Sequence, residues 1–228
     1  MNEWISQSAY FSVVLTLGVY FIGCAIQKKI KAFNPFLFSV VVIVVLLAVF
    51  HIDYQIYYDG NEILNFLLTP ATVCLAIPLY QQLQTLKANW HAIFAGIASG
   101  VVANMVSILL FALLFGLSHY NYITLLPKSV TTAIAIGVSE ELGGMTTLTV
   151  CVLIVTGMIG NIFAPHICKL FRIHEPVAKG VAIGTACHAM GTARALTMGE
   201  IEGAISSLSI AVAGLMTVVA ASIFANFY

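Results

Sequence analysis

Long stretches of this chain carry no Asp, Glu, Lys or Arg at all, and nothing else in the sequence limits its fold so strongly. The charge-free runs cover residues 4–27, 32–52, 63–86, 88–127, 145–168 and 203–228. A bilayer's hydrocarbon core is about 30 Å thick and takes about 20 helical residues to cross. Each run is long enough, and 88–127 has room for a loop as well. With 8% charged residues, against roughly 25% in a soluble domain, the chain cannot cover a water-facing surface. A membrane β-barrel would show short alternating segments, whereas these runs are continuously apolar. The reading is an all-α polytopic membrane protein, a single integral-membrane domain over residues 1–228. It would have about 6–8 membrane segments, some of them discontinuous or re-entrant.

The N-terminus does not read as a cleaved signal. It holds an acid, Glu3, lacks leading basic residues, and its apolar run exceeds a usual signal core. A first helix is expected over residues 9–26, followed by "KKIK" at 28–31. Basic residues stay on the cytoplasmic side, so the N-terminus should lie outside. Cys24, Cys74, Cys151, Cys168 and Cys187 lie in or beside apolar segments without a CxxC pair. They read as small core residues rather than as metal ligands or disulfides. Net charge is zero, and nucleic acid is not an expected partner.

Further helices are expected over residues 36–52, 90–117, 146–168 and 203–227. Segment 63–83 holds Pro70 and Pro78, each of which removes a backbone donor and crowds the preceding turn. Gly96 and Gly100 share a face suited to close helix packing, and Gly157 and Gly160 offer another. Three stretches share a pattern: "TVCLAIPLYQQL" from Thr72, "TTAIAIGVSEEL" from Thr131 and "TACHAMGTARAL" from Thr185. An internal repeat would produce it, and so would chance in a chain this rich in Ala and Leu. Transporters often repeat a unit whose broken helix lines the site.

Charge supplies an independent argument. Lys87 and the group Lys169, Arg172 and Lys179 should share the cytoplasmic side. Helices 90–117 and 146–168 alone connect those positions. The segment between them, from Pro127, must then return to the side it started from. Non-helical backbone at membrane depth is tolerated only inside protein or beside water, so that segment is a candidate site.

At "LLPKSVTTAIAIGVSEELGG" and "GTACHAMGTARALTMGEIEGAISSLSIAVAGLMT", and again at "TPATVCLAIPLYQQL", the chain resembles the LrgB/CidB family over nearly its whole length. The resemblance implies a multi-pass protein of the bacterial cytoplasmic (inner) membrane that works with a smaller LrgA/CidA-type membrane subunit. The family has been described as antiholin-like modulators of murein hydrolase export and cell lysis. Related members carry small carboxylates: bacterial pyruvate uptake systems and the plastidial glycolate/glycerate transporter. One departure is visible. The family's proline after "KSVTT" is replaced by Ala133, which removes a proline-enforced break there.

Arg194 is the first candidate for a substrate carboxylate. An arginine within a membrane segment costs about 2.5–3.5 kcal/mol on insertion scales, and a guanidinium offers a planar two-donor fork. Snorkelling to the interface or pairing with Glu140 or Glu200 would also account for it. In a continuous helix Thr185, His188, Gly191 and Arg194 form a chain of i,i+3 neighbours. Gly191 leaves a gap in that stripe, and Thr192 lies beside it. His188 can donate to a carboxylate or carry a proton, or simply bond between helices. Ser129, Thr131 and Thr132 crowd three hydroxyls into four residues, although local bonding to helix carbonyls is common. Lys128, Glu140, Pro70, Thr72 and Pro78 are weaker candidates for the same site. No cofactor or metal is expected, and no catalytic residue.

The function this supports is a carrier of small monocarboxylates of the pyruvate, glycolate, glycerate or lactate type. Such a carrier would work with the smaller subunit and as a homo-oligomer, a dimer being favoured because the chain has few helices to spare for a scaffold. The alternative is a lysis modulator that transports nothing. An intramembrane enzyme fits poorly, since neither an HExxH spacing nor a nucleophile elbow occurs.

Overall fold

The computed structural model describes residues 10–29, 35–74 and 76–228, without the side chains of Leu68, Thr69, Thr72 and Leu79. Ala9, where the first helix was expected to start, and Ile30 and Lys31 of the basic run lie outside the described residues. The described residues are almost wholly helical, with no strand among them, and the chain is an all-α polytopic membrane protein. Among the described residues four helices are long and apolar enough to cross a bilayer. The chain divides into two units, Met1–Cys74 and Leu75–Tyr228.

In the first unit, α1 (Phe11–Lys29) packs against α2 (Pro35–Val49). Gly23 allows this, because a Cβ there would stand 3.1 Å from Pro35. Asp53 caps α3 (Tyr54–Asp59) by accepting from the Gln55 N–H at 2.7 Å. The Thr16 hydroxyl lies 2.6 Å from the Tyr57 hydroxyl and 3.2 Å from Asn61 Oδ1, tying α1 to the α3 region. Helix α4 (Glu62–Cys74) runs through Pro70 without ending. The proline break expected there does not occur, in keeping with the tolerance of membrane helices for an internal proline.

The second unit begins with two short helices, α5 (Ala76–Gln81) and α6 (Leu83–Ala88). Three long helices follow, α7 (Trp90–Phe115), α10 (Thr146–Leu170) and α12 (Glu200–Phe224), with shorter helices between them. Their limits fall close to the charge-free runs, because the hydrocarbon thickness sets both. Between α7 and α10 lie α8 (His119–Leu125) and α9 (Thr132–Glu141). Gly116 ends α7 in a left-handed conformation, φ 60°. Ser118 caps α8, accepting from the Asn121 N–H, and Thr131 in extended conformation starts α9. Ten residues of α9 rise only about 15 Å, half a bilayer core.

These two short helices form a hairpin. Its base is fixed at the α7 C-terminal end, where the Met145 N–H donates to Thr124 Oγ1 at 3.0 Å and Thr149 Oγ1 to the Thr124 carbonyl at 2.9 Å. The Tyr122 hydroxyl donates to the Phe224 carbonyl at 2.8 Å. Its turn reaches back to the middle of α7, where Ser129 Oγ donates to Asn104 Oδ1 at 3.3 Å. The core of this end joins Met105, Ile108, Tyr122, Leu126, Val138 and Ala221.

Helix α11 (Pro176–Met198) breaks at His188, φ 44° and ψ −140°. The two halves reverse direction. Along the first, Gly180 faces Ile205 and Gly184 faces Ser209, so residues 176–187 run parallel to α12. Along the second, Thr192 meets Ser206 and Leu196 meets Gly203, so residues 189–198 run back. Ile183 and Ala195, on opposite arms, share one buried cluster. The stretch from Thr185 to Arg194, whose i,i+3 stripe would hold only in a continuous helix, is therefore a second hairpin with His188 at its tip.

The hairpins approach from opposite ends. The first arm of α11 runs parallel to α7: a Cβ at Gly96 would stand 2.9 Å from Val181 Cγ1, and one at Gly100 would stand 2.8 Å from Thr185 Cγ2. It runs antiparallel to α10, where Gly160 faces Cys187 and Ala164 joins Ile183. Its tip thus arrives mid-length, one turn from Asn104. The repeating unit in space is a long helix followed by a hairpin, α7 with α8–α9 and then α10 with α11, in opposite senses. It does not follow the Thr-led sequence pattern, since Thr131 opens a returning arm and Thr185 lies on an ingoing one. The close-packing faces at Gly96/Gly100 and Gly157/Gly160 are used within the chain, so they no longer argue for a second copy. Cys74 and Cys151 are exposed, contrary to the core placement expected of them.

Candidate functional site

A cavity of about 1050 Å³ lies in the second unit between α7, the second half of α10 and the first arm of α11, reaching the turn of the first hairpin. Its volume is at the upper limit of ordinary small-molecule pockets, about 300–1,000 Å³. Asn89, Ile167 and Glu175 line it at the end where α7 begins and α10 finishes; Asn104, Lys128, Ser129, Thr185 and Cys187 line it at mid-length. The outer end also carries Lys87, Lys169, Arg172 and Lys179, as the charge argument expected, with Lys179 paired to Glu202 at 3.6 Å.

The polar atoms at the inner end form a short chain. Lys128 Nζ donates to Ser129 Oγ at 3.2 Å, and Ser129 Oγ donates to Asn104 Oδ1. Ser129 is buried and Lys128 half-buried. Across from them, Thr185 is 7% exposed, and its Oγ1 is buried without a hydrogen-bond partner among the described residues. A serine or threonine in a helix usually bonds the carbonyl four residues back; Thr185 does not.

Of the expected site residues, the structure brings Lys128, Ser129 and Thr185 to this cavity. Thr131 stands half-buried at the N-cap position of α9 without a side-chain capping bond, and Thr132 is exposed. His188 is 3% exposed, and its Nε2–H donates to the Leu153 carbonyl at 3.2 Å, which is the interhelical bond rather than a free donor. Gly191 leaves no gap, since a Cβ there would stand 2.6 Å from Cys187 Cβ and 2.9 Å from Ile183 Cγ2. Thr192 is spent on Ser206 at 2.6 Å. Arg194 is half-buried on the returning arm and does not line the cavity; its Nε is buried without a hydrogen-bond partner among the described residues. Glu140 is exposed near the end of α9. Pro70 belongs to the first unit, as does Thr72, whose side chain lies outside the described residues; Pro78 sits within α5, away from the cavity lining.

Asn104 escaped the sequence reading, as did Ser99, Ser107 and Thr156, which line the same cavity. A signal existed: Gly96, Ser99, Gly100, Ala103, Asn104 and Ser107 recur at helical spacing along one face of an otherwise apolar helix. Among the described residues no three His, Cys, Asp or Glu side chains gather as a metal site would require.

The model of the LrgB-like family matches residues 16–227, and the chain belongs to that family. It is 36% identical over 225 residues to the antiholin-like protein LrgB of Bacillus mycoides (strain KBAB4), covering 97% of this chain and 98% of the relative. At 35% identity and the same coverage it is similar to the antiholin-like proteins LrgB of Bacillus cereus (strain B4264) and Bacillus anthracis (strain CDC 684 / NRRL 3495). No solved structure matches the chain.

Proposed function

We propose that this LrgB-family protein is a carrier of small monocarboxylates of the pyruvate, glycolate, glycerate or lactate type, resident in the bacterial cytoplasmic membrane. The observation that carries the reading is the meeting of two opposed hairpins at mid-length of α7, beside a cavity whose inner end carries Asn104, Lys128, Ser129 and Thr185. Interrupted helices at membrane depth are costly unless they line a cavity, and carriers build their sites from such interruptions at a repeat interface. A protein that only modulated lysis would have no use for a cation beside the amide of Asn104 and the hydroxyls of Ser129 and Thr185 at that depth. With basic residues cytoplasmic, the cavity mouth faces the cytoplasm and the N-terminus lies outside. A smaller LrgA/CidA-type subunit and a second copy of this chain complete the working assembly.

Uptake of labelled pyruvate, glycolate, glycerate and lactate into proteoliposomes, with and without the smaller subunit, tests this. Saturable uptake of at least one acid is the expected result. The second reading, an antiholin-like modulator without a substrate, is favoured by the names of the relatives. It would be preferred if neither preparation moved any of the four acids while expression of the chain altered lysis.

A further inference from the structure

The geometry points to Lys128 as the seat of the substrate's carboxylate, with Thr185 receiving a second oxygen of the same small molecule; this rests on the carrier reading above. Lys128 is the one cation among the residues that line the cavity. Among the described residues no carboxylate pairs with it, and its ammonium donates to Ser129 Oγ. An ammonium carries three donors, so two remain for a ligand. A cation at membrane depth without a counter-ion is costly, and an anion arriving through the cavity relieves that cost.

The surrounding groups fix the ligand's size and charge. Ser129 already gives its proton to Asn104 Oδ1, which leaves the Asn104 amide N–H groups spare. Thr185 packs at Gly100, one turn of α7 from Asn104. Four residues of helix rise about 6 Å. A molecule of a few carbons can span that distance, with its carboxylate at Lys128 and a hydroxyl or keto oxygen toward Thr185. Buried hydroxyls nearly always have a partner; Thr185 Oγ1 has none among the described residues and is closed off from solvent, so a turn of χ1 toward the cavity, which Thr185 lines, pairs it with that second oxygen. One cation neutralises one negative charge, and among the described residues no second Lys or Arg lines the cavity to neutralise another. The preferred ligand is a monoanion with an added oxygen. A dicarboxylate is rejected for charge, and an unsubstituted monocarboxylate binds more weakly because Thr185 stays unpaired.

Uptake of labelled lactate, propionate and succinate by the native assembly is compared with that of Lys128→Gln, Lys128→Arg and Thr185→Val. Expected are preference for lactate over propionate, exclusion of succinate, and a rise of at least about tenfold in half-saturating lactate for Lys128→Gln, partly restored in Lys128→Arg. Thr185→Val should narrow the lactate preference over propionate. A second measurement keeps the test readable if a variant folds poorly. In protein with Cys24, Cys74, Cys151 and Cys168 replaced by serine, lactate should slow maleimide labelling of Cys187, which lines the same cavity. Lys128→Gln should abolish that protection. Lactate uptake by the native protein that persists at unchanged half-saturation in Lys128→Gln would overturn the assignment of Lys128 while leaving the carrier reading intact. Protection of Cys187 without uptake of any acid would do the reverse.

Discussion

Asn104, midway along α7, accepts the hydroxyl proton of Ser129 in the turn of the first hairpin, and Lys128 bonds the same hydroxyl. A carboxylate at position 104 would keep the acceptor and place a fixed negative charge beside the ammonium. Asn104→Asp should therefore leave the fold intact and occupy Lys128 internally. The expected outcome is unchanged or raised thermal stability in detergent with lactate uptake reduced at least about tenfold. Asn104→Leu removes the acceptor altogether and should lose about 1 kcal/mol of stability. If Asn104→Asp transports like the native protein, Lys128 and Asn104 do not share a ligand site.

The long helices were legible because hydrocarbon thickness leaves its mark as charge-free runs. Trp90–Phe115 and Thr146–Leu170 each end within two residues of expectation. The first hairpin was legible from charge sidedness, since Lys87 and Lys169 had to share a side. The second was not. Its reversal occurs at His188, which is neither Gly nor Pro, and the flanking residues keep a helical period. Tertiary contacts with α10 and α12 hold the left-handed backbone there, and no local pattern encodes them. The same reversal moves Arg194: a stripe drawn for a straight helix carries it along with Thr185 and His188, whereas the folded arm carries it back, away from the cavity that Thr185 lines. Asn104 was missed because a single amide in an apolar run draws no notice until the small residues around it are counted by helical turns.

His188 takes a backbone conformation that favours glycine, φ 44° and ψ −140°, and its ring is held to the Leu153 carbonyl. Two opposing effects can be separated by substitution. His188→Ala loses the ring's bond and keeps the strained backbone, so it should be the more destabilised, by about 1–3 kcal/mol. His188→Gly loses the bond and relieves the strain, and should melt above His188→Ala. Thermal unfolding of both in one detergent decides it. The reverse order would mean that residue 188 does not hold a left-handed backbone in the membrane.

The hairpin formed by α8 and α9 returns to the end it left, so Ser118 and Glu141 should report the same side of the membrane. Lys87 and Glu200 should report the other. Single cysteines at these four positions, labelled from either side of sealed vesicles, give the answer directly. Opposite sidedness for Ser118 and Glu141 would mean that residues 118–141 cross the bilayer, and the opposed-hairpin arrangement would fail with it.

Gly160 on α10 and Cys187 at the end of the first α11 arm fill one volume between them, since a Cβ at Gly160 would collide with both Cβ and Sγ of Cys187. Gly160→Ala should therefore push the tip of the second hairpin away from α10. Overpacking of this kind costs about 1–3 kcal/mol, and the displaced tip should also lower uptake. Moving the methyl group across the interface ought to cancel most of this. In the double variant Gly160→Ala/Cys187→Gly, only the Cys187 Cα remains near the new Cβ, at 3.6 Å, an ordinary contact. Glycine at 187 in a helix costs about 1 kcal/mol by itself, so Cys187→Gly alone should be mildly destabilised. The double variant should then be more stable than the sum of its two single changes predicts, by at least about 1 kcal/mol. Thermal unfolding of all four proteins, paired with lactate uptake, measures that coupling. Additive losses would mean that Gly160 and Cys187 are not in contact in the membrane, and that the second hairpin does not rest against α10.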